Sequence, residues 1–362
     1  MSTRQDKSLH LVLLPGDGIG PEITASTAAV LEEVNRLFDL GMTFESLDIG
    51  MKTIETHGSA YPDHVHEACK KADAVVLGPG GRAMYPRGNI GGIAASGEMR
   101  RRFDLFANIR PARTRPGVAA PCGKSFDLVV VRENTEGFYA DRNMFMGSGE
   151  FMPTPDVALA VRKISRTGST RIAEVAFKIA RSRRKKLTVV TKSNVLQYTD
   201  GLFLQCVREV GKNYPDVEVE EKFIDAMTAL LVRVPESFDV IVTTNMYGDI
   251  LSDLTSELSG SLGLGGSINA SDVYAIAQAQ HGSAPDIAGM DLANPISLVS
   301  SAAMLLGWLA ERRNEPRLKE AGARIERAID ATVASPENRT RDLGGPLGTK
   351  AFTERLVAAL RE

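Results

Sequence analysis

The sequence predicts an α/β protein whose sheet is largely parallel. Short β-branched apolar runs, each followed by a Gly, Asp or Asn turn, are typical of buried strands. These runs are residues 9–14, 74–77, 128–131, 187–190 and 240–243. Between them, apolar residues recur every three or four positions, as in amphipathic helices, over residues 21–38, 170–182, 200–212 and 297–311. Strands that alternate with helices in this way indicate an α/β fold.

Length and charge narrow the class of protein. The chain has 362 residues, 43% hydrophobic and 24% charged, which suits a globular protein of two domains. Its 43 Lys and Arg residues nearly balance 45 Asp and Glu residues, so the net charge of -2 gives no electrostatic reason to expect nucleic acid or membrane as a partner. No apolar run approaches the roughly 18 residues of a membrane span, and residues 1–9 are polar, so we expect a cytoplasmic protein.

A glycine-rich segment, PGDGIGPEI at residues 15–23, follows the first predicted strand and opens a helix. Its glycines, Gly16, Gly18 and Gly20, are spaced G-x-G-x-G, whereas the dinucleotide fingerprint of a Rossmann fold is G-x-G-x-x-G. An ordinary Rossmann site is therefore not expected here. The chain also has no linker rich in Pro, Gly and Ser that would separate two independent domains.

Arginines follow several of the predicted elements. Arg100 to Arg102 lie in EMRRRFDLF, Arg110 lies in FANIRPAR, and Arg132 ends a strand in VVVRENTEG. Guanidinium groups that converge from different elements suit a substrate with several carboxylates, because each binds a carboxylate through two parallel hydrogen bonds. The triplet by itself is more typical of surface ion pairs, whereas Arg132 follows a parallel strand, where ligands commonly bind.

Two aspartates, Asp249 and Asp253, stand four residues apart in DVIVTTNMYGDILSDL, where a strand gives way to a helix. This spacing puts both carboxylates on one helical face, which suits a hard divalent cation such as Mg²⁺ or Mn²⁺. Asp225, just after another strand, is the natural third ligand. An Asp in the first helical turn is also typical of a cap or a partner of the helix dipole, so both interpretations stay open here.

Candidate acid/base and cofactor residues follow other strands. Tyr139 and Lys192 each come shortly after a strand, and near a metal they could share proton transfer. The segment HGSAPDIAGMDLANP, at residues 281–295, has small residues that allow close backbone approach, and Asp286 could accept hydrogen bonds from an adenosine ribose. An ordinary loop of Gly, Ala and Pro is the other interpretation.

Taken in order, these motifs resemble the β-decarboxylating dehydrogenase family of isocitrate, homoisocitrate, 3-isopropylmalate, tartrate and D-malate dehydrogenases. The similarity runs through LPGDGIGPEI, FANIRPAR, RENTEG, TKSNVL, NMYGDILSDL, HGSAPDIAG and RTRDLGG. It implies an isopropylmalate-dehydrogenase-like two-domain fold with a large, mixed, mostly parallel sheet, not a Rossmann fold. Residues 1–105 and 262–362 would form a large, discontinuous cofactor-binding domain, and residues 106–261 a small domain with metal ligands and the dimer interface.

The resemblance also implies a role for each site residue. Tyr139 and Lys192 would be the acid/base pair, and Mg²⁺ or Mn²⁺ would be held by Asp225, Asp249 and Asp253. Substrate would be bound by Arg100, Arg110, Arg132, Asn194 and Ser96. The cofactor would be bound by His281, Gly282, Ser283, Ala284, Pro285, Asp286, Ile287 and Asn294. In this family the residues at the positions of Lys192 and Asp225 reach into the site of a second subunit, so a homodimer, or a tetramer of such dimers, would share its active sites.

The implied reaction is oxidative decarboxylation of a 3-substituted (R)-malate-type 2-hydroxy acid to a 2-keto acid and carbon dioxide. The metal favours loss of the hydroxyl proton to Lys192 while hydride leaves for the nicotinamide, and Tyr139 protonates the enolate left by decarboxylation. We expect NAD rather than NADP, because family members with an acidic residue at the Asp286 position use NAD and a carboxylate would repel a 2′-phosphate. Ile287 stands where NADP-dependent members tend to have Tyr.

Departures from the family pattern leave the substrate open. Gln278 replaces an acidic residue of many NAD-dependent relatives. Ala94 and Ser96 stand where isocitrate-specific relatives have Ser and Asn, and Ser96 and Gly97 stand where isopropylmalate-specific relatives have leucines. Isocitrate is therefore disfavoured and a branched alkyl group lacks its usual wall, so 3-isopropylmalate, homoisocitrate or an isocitrate-like acid, tartrate and D-malate all stay open. The alternative function is a non-catalytic regulatory subunit of a hetero-oligomeric isocitrate dehydrogenase, which the complete set of catalytic and metal residues disfavours.

Overall fold

The computed structural model describes residues 8–81, 84–85, 94–139, 144, 146 and 149–362. Its strands are β1 (Leu9–Leu14), β2 (Met42–Ser46), β3 (Ala74–Leu77), β4 (Ala107–Arg113), β5 (Asp127–Glu133), β6 (Glu150–Thr154), β7 (Val157–Ala160), β8 (Lys186–Thr191), β9 (Glu218–Phe223), β10 (Val240–Thr243), β11 (Ile268–Ala270) and β12 (Ala275–Gln278). Its α-helices are α1 (Gly20–Phe38), α2 (Met51–His57), α3 (Asp63–Lys71), α4 (Ala95–Arg102), α5 (Arg166–Ser182), α6 (Thr199–Gly211), α7 (Ile224–Arg233), α8 (Asn245–Leu258), α9 (Ile296–Arg313), α10 (Pro316–Ala334) and α11 (Thr349–Ala359). None of the helices in these stretches is long and apolar enough to cross a membrane.

Ten strands form one sheet in the order β2-β1-β3-β12-β11-β4-β5-β10-β8-β9. Neighbours run parallel except at three central pairs, β12–β11, β11–β4 and β4–β5. The predicted large, mixed, mostly parallel sheet is confirmed. The strand order also differs from the 3-2-1-4-5-6 order of a Rossmann fold, as expected from the glycine spacing.

The sheet is assembled from different stretches of the chain. The first five strands in that order come from residues before 105 and after 262, and the other five come from residues between them. The two sets meet where β11 pairs with β4, with Asn269 opposite Asn108. The chain therefore passes from one half of the sheet to the other and back.

Separate apolar cores stabilise the two halves. On the first half, α1, α9, α10 and α11 bury a cluster that includes Leu306 and Ile325. On the second half, α5 and α6 pack around Phe177, while α7 and α8 bury Met227 and Leu251. The strand residues of these last two clusters alternate along β5 and β10, so the two helix pairs cover opposite faces of the sheet.

A two-stranded hairpin, β6–β7, lies outside the main sheet. Every residue of its strands is exposed in the single chain. The exposed side chains include Phe151, Met152, Val157 and Leu159, and Phe151 is opposite Leu159 across the two strands. Exposed large apolar side chains grouped in one element are typical of an interaction site.

The carboxyl ends of the parallel strands bring most predicted site residues to one edge of the sheet. Arg132 lies near the end of β5, β10 leads into α8, and β8 leads into the loop that carries Lys192. β4 runs antiparallel to β5, so its amino end lies at the same edge, with Asn108 in register with Arg132. Ligands of α/β sheets bind at this edge.

Candidate active site

Arg132 lies at the centre of the site and is held against α8. Its side chain is only 2% exposed, so its charge needs partners within the protein. Nε and Nη2 donate to Asn245 Oδ1 at 3.0 and 2.7 Å, and Nη1 donates to Asp249 Oδ1. A Cβ at Gly248 would lie 2.5 Å from the Arg132 Cγ, so the helix needs glycine there for the arginine to pass along it.

Arg110 approaches the same aspartate from β4. Its Nη1 donates to Ser252 Oγ at 2.7 Å and to Asp249 Oδ1 at 3.2 Å, and lies 3.5 Å from Asp253 Oδ1. Asn108 Oδ1 accepts from its Nε at 2.5 Å. Burial, with a smaller effect from a neighbouring arginine, lowers the pKa of Arg110 to about 10, so the guanidinium stays charged at neutral pH.

Asp249 receives hydrogen bonds from three cationic or hydroxyl donors. Besides the two arginines, the Tyr139 hydroxyl donates to its Oδ2 at 2.5 Å. Burial raises the pKa of Asp249, but the charges of Arg132 and Arg110 and the Tyr139 bond outweigh it, so the net pKa is below the ordinary value. Burial and the neighbouring carboxylate raise the pKa of Tyr139. The tyrosine therefore carries its proton and Asp249 its charge at neutral pH.

Two glutamines extend the cluster towards β12. Gln280 Nε2 donates to Asp253 Oδ1 at 3.2 Å, and burial raises the pKa of Asp253. Gln278 Oε1 accepts from Asn269 Nδ2 at 2.9 Å and lies 3.5 Å from Nη2 of Arg100 on α4. Gln278, which replaces an acidic residue of many NAD-dependent relatives, thus contacts Arg100, a predicted substrate-binding arginine.

Lys192 and Asp225 form a separate pair. Lys192 Nζ donates to Asp225 Oδ1 at 2.7 Å, and this bond lowers the pKa of Asp225. No hydrogen bond or ion pair in the described part of the chain joins either residue to Asp249 or Asp253. Accordingly, the described residues of one chain contain no group of three His, Cys, Asp or Glu side chains that could hold a metal ion.

The remaining predicted substrate residues lie near these two groups in sequence. Ser96 is partly buried on α4, four residues before Arg100 and therefore on the same helical face. Asn194 is exposed in the loop after β8, two residues beyond Lys192. Residues 88–93, which directly precede the positions that differ between substrate-specific relatives (Ala94, Ser96 and Gly97), lie outside the described residues.

The predicted cofactor loop packs against the glycine-rich segment after β1. The backbone N–H of Ile19 donates to the carbonyl of Ser283 at 2.9 Å, and a Cβ at Gly18 would lie 1.9 Å from that carbonyl. His281 Nδ1 donates to the carbonyl of Gly282 at 3.0 Å, since a carbonyl only accepts. This assigns a lone pair to His281 Nε2, a buried atom without a hydrogen-bond partner in the described structure.

The rest of that loop is more open. Pro285, Asp286 and Ile287 form one turn of 3₁₀ helix, with the Asp286 side chain exposed, and Ala284 precedes it with a left-handed φ of 36°. Asn294 is buried, and its Nδ2 donates to Asp342 Oδ2 at 2.9 Å. Asp342, in the RTRDLGG motif, thus ties the carboxyl-terminal part of the chain to this loop.

The donor sets fit the groups that the family implies. The side chains of Asp249 and Asp253 are 36% and 52% exposed. The Oδ1 atoms of both residues contact Nη1 of Arg110, so both carboxylates face one accessible space. Carboxylate oxygens are the ligands that Mg²⁺ and Mn²⁺ prefer. The buried lone pair of His281 Nε2 fits a donor such as the amino group of a nucleotide base.

Several site residues were not predicted from the sequence. Asn245 and Ser252 stand at helical spacing from Asp249 on α8, which was the available signal for them. Asn108 is two residues before Arg110 on β4, on the same face. Gln280 lies next to a recognised motif and Asp342 within one, and neither gave any other sequence signal.

Comparisons with known proteins agree with this geometry. The chain matches the family described as isocitrate/isopropylmalate dehydrogenase over residues 10–358. It is 42% identical over 354 residues to an isocitrate/homoisocitrate dehydrogenase of Thermus thermophilus, covering 97% of this chain and 98% of that protein. A 3-isopropylmalate dehydrogenase of Archaeoglobus fulgidus is 39% identical, with 97% and 99% covered. The crystal structure of isocitrate dehydrogenase from Methylococcus capsulatus superposes with a TM-score of 0.87 at 36% identity, covering 98% of this chain and 100% of that chain.

Fold, arginine cluster and relatives agree on one class of protein, an oxidoreductase that decarboxylates a hydroxy acid. Within this class, the chain belongs to the isocitrate/isopropylmalate dehydrogenase family. The resemblance noted from the sequence motifs is thereby confirmed.

Proposed function

We propose that the protein catalyses the NAD- and Mg²⁺- or Mn²⁺-dependent oxidative decarboxylation of a 3-substituted (R)-malate-type 2-hydroxy acid. The observation that carries this proposal is the convergence of Arg132, Arg110 and Tyr139 on Asp249, with Asp253 beside it. Two buried arginines next to two carboxylates suit an anionic substrate that also contacts a cation.

The protein's own residues supply binding and proton transfer. Arg110 and Arg132, with Arg100, hold the substrate carboxylates through charge-assisted hydrogen bonds. Lys192 accepts the proton of the C2 hydroxyl, and Tyr139, which is protonated at neutral pH, gives its proton to the carbon that loses carbon dioxide. When bound, Mg²⁺ or Mn²⁺ would be held by Asp225, Asp249 and Asp253 and would stabilise negative charge on the C2 oxygen, while NAD would accept the hydride.

The separation of Lys192 and Asp225 from Asp249 supports a homodimer with shared active sites. Exposed apolar side chains lie close in sequence to Lys192 and Asp225. They include Val195, Phe223 and Tyr198, the last of which is 93% exposed. Together with the apolar β6–β7 hairpin, they give a second copy of the chain a surface to cover. Residue Asp225 would then complete a metal site around the partner's aspartates.

We further propose the division into a cofactor-binding domain of residues 1–105 and 262–362 and a small domain of residues 106–261. The two halves of the sheet and their separate cores support this division. NAD would lie along residues His281 to Asn294, where Asp286 is exposed and free to accept from ribose hydroxyls and to repel a 2′-phosphate.

Two kinds of substrate occur in the names of the relatives. Isocitrate/homoisocitrate and 3-isopropylmalate dehydrogenases are both similar over nearly the whole chain. Ala94 and Ser96 depart from the isocitrate pattern, and Ser96 and Gly97 depart from the leucine wall. Their small side chains leave room for an extended substituent, so we place a homoisocitrate-like or other extended acid first, although homoisocitrate relatives have an arginine at Gly97, with 3-isopropylmalate, tartrate and D-malate as competitors.

A substrate panel tests the function. Purified protein is assayed alone with NAD and MnCl₂ against each acid, and NADH formation and carbon dioxide release are measured together. Asp249→Asn and Lys192→Met are expected to lose activity while folded, whereas Asp272→Asn and Lys212→Met, at exposed positions, keep it. Hydride transfer without decarboxylation, or full activity in Asp249→Asn, would contradict the proposal. Inactivity of the pure protein on every acid would favour the regulatory-subunit alternative.

A further inference from the structure

A second cavity lies at the opposite end of β4 and β5 from the candidate active site. Its volume is about 340 Å³, within the range of small-molecule sites. Arg113 and Asp127 line it and are paired across the two strands. Asp127 is five residues before Arg132, which is about 16 Å along a strand. None of the residues that line this cavity belongs to the candidate active site.

Two helix faces with small side chains form its walls. α9 contributes Ser300, Ala303, Met304 and Gly307, and α10 contributes Lys319, Gly322, Ala323 and Glu326. In both helices the spacing is i, i+3, i+4, i+7, so each set lies on one face. A Cβ at Gly307 would meet no atom within 4 Å, whereas a Cβ at Gly322 would lie 2.7 Å from the carbonyl of Ala303. The cavity is therefore open at Gly307, while close helix packing requires glycine at 322.

Four cationic side chains also line the cavity: Arg113, Arg115, Arg183 and Lys319. Glu326 and Asp330 bind only Nη2 of Arg113, at 2.9 Å, so its Nε and Nη1 have no protein partner in the described structure. Lys319 is exposed and makes no hydrogen bond or ion pair with a described residue.

Arg115 gives the stronger indication. Its side chain is 3% exposed, and its two terminal nitrogens are bound by Asp330 and Glu326. Its Nε is buried without a hydrogen-bond partner in the described residues. Because this nitrogen is buried, Arg115 favours an anionic ligand in the cavity through its charge and not through a direct hydrogen bond from Nε.

We propose that this cavity binds a short-chain aliphatic carboxylate at a site separate from the active site. The carboxylate accepts hydrogen bonds from the unused nitrogens of Arg113 and from Lys319, and the charge of Arg115 adds to the attraction, while the alkyl chain packs on Ala303 and Met304. Because Arg113 belongs to β4 and Lys319 to α10, the ligand contacts both halves of the protein. Its binding therefore depends on how the two halves are arranged.

Calorimetric titration of the full-length protein with hexanoate tests the site. Hexanamide removes the charge and inorganic phosphate removes the alkyl chain, so both should bind at least about tenfold more weakly than hexanoate. Gly307→Leu, which fills the cavity from its open side, should abolish the hexanoate isotherm. Lys319→Met should weaken it by about tenfold, and the control Lys212→Met, exposed at the end of α6, should leave it unchanged.

The variants also exclude binding at the active-site arginines, which none of them touches. Hexanoate binding that is undiminished in both Gly307→Leu and Lys319→Met would overturn the proposal, as would equal affinity for hexanamide. If Gly307→Leu does not fold, judged by circular dichroism, Lys319→Met decides alone, because that side chain is exposed and unpaired in the described structure. Absence of any hexanoate isotherm in the unmodified protein would also overturn it.

Discussion

Asn245 shows how one uncharged side chain positions a charged one. A single oxygen accepts from two nitrogens of Arg132, and Asn245 Nδ2 donates to the carbonyl of Glu136 at 2.9 Å. All three bonds are buried, where a guanidinium without such an acceptor would be poorly satisfied. The Asn245 amide therefore fixes the plane of the Arg132 guanidinium, on which the proposed binding of a substrate carboxylate by Arg132 would depend.

We expect Asn245→Ala to lower kcat/KM by about ten- to a hundredfold, because it removes two hydrogen bonds to a charged group. Asn245→Asp keeps the oxygen that accepts from Arg132 but sets a carboxylate oxygen against the Glu136 carbonyl, so it should keep more activity than Asn245→Ala while lowering the free energy of unfolding. Steady-state kinetics measure both variants, with circular dichroism to verify folding. Equal activity of Asn245→Ala and the unmodified protein would show that Arg132 does not need this support.

At this scale the sequence predicted charged residues better than the neutral ones around them. Arg132, Asp249 and Asp253 could be found because each follows a predicted strand or stands at helical spacing. Asn245 begins a helix, where an Asn is ordinarily read as a cap, so its contact with β5 depends on tertiary packing that no local pattern encodes. The same holds for Gln280, which reaches Asp253 from a different part of the chain.

At the scale of elements, α8 is the helix that organises the site. Asn245, Asp249, Ser252 and Asp253 share the face that meets β4 and β5. Gly248 lies on that face too and lets the helix approach β5 closely. The sequence predicted this helix and its aspartate face, but the close approach depends on the sheet order and could not be read from spacing.

Two helical glycines give a matched test of this close approach. Gly248→Ala would place a Cβ 2.5 Å from the Arg132 Cγ and should lower the free energy of unfolding by about 1–3 kcal/mol and impair catalysis. At Gly307 on α9 an added Cβ would meet no atom within 4 Å, so Gly307→Ala should raise the free energy of unfolding by about 0.5–1 kcal/mol. Denaturant unfolding of both variants measures the difference, and a stabilised Gly248→Ala would contradict the contact.

The junction of α1 with the carboxyl terminus makes stability depend on pH. Hydrogen bonds from Arg361 and Arg36 lower the pKa of Glu33 to about 2. Because the folded pKa lies below the unfolded one, the stabilisation is complete above the unfolded pKa and is lost as pH falls towards 2. We therefore expect Glu33→Gln to lower the Tm at pH 7 and the difference to shrink below pH 4.5, as measured by calorimetry across pH. A difference that grows on acidification would contradict this assignment.

At the scale of the whole molecule, the single chain leaves its proposed metal site incomplete and its apolar surface uncovered. The sequence predicted strands β1, β3, β5, β8 and β10, because each is an apolar run of four or more residues, whereas the edge strands β2 and β9 carry mixed polar and apolar residues and gave no such run. It did not predict the central antiparallel pairs, since β11 has only three residues and its pairing with β4 joins distant parts of the chain. The β6–β7 hairpin likewise gave no signal, because all its strand residues are exposed in the single chain and no buried face marks them as a strand pair.

The proposed dimer can be disrupted by a surface charge. Val232 on α7 is 50% exposed and lies seven residues after Asp225, on the same helical face, so in the proposed dimer a charge there would be buried against the second copy. We expect Val232→Asp to give a folded monomer without activity, measured by size exclusion with light scattering. Val273→Asp, at a residue that is 75% exposed in the turn between β11 and β12, serves as the control and should stay dimeric and active. A dimeric, active Val232→Asp would place the interface elsewhere.

The central claim is that Lys192 and Asp225 of one subunit complete the site built on Asp249 of the other. Lys192→Met and Asp249→Asn are co-expressed with different affinity tags, and the hybrid dimer is purified through both tags. Shared sites give the hybrid one intact site out of two, so we expect about half the activity of the unmodified dimer, while each parental dimer is inactive. A purified hybrid as inactive as its parents would contradict the claim.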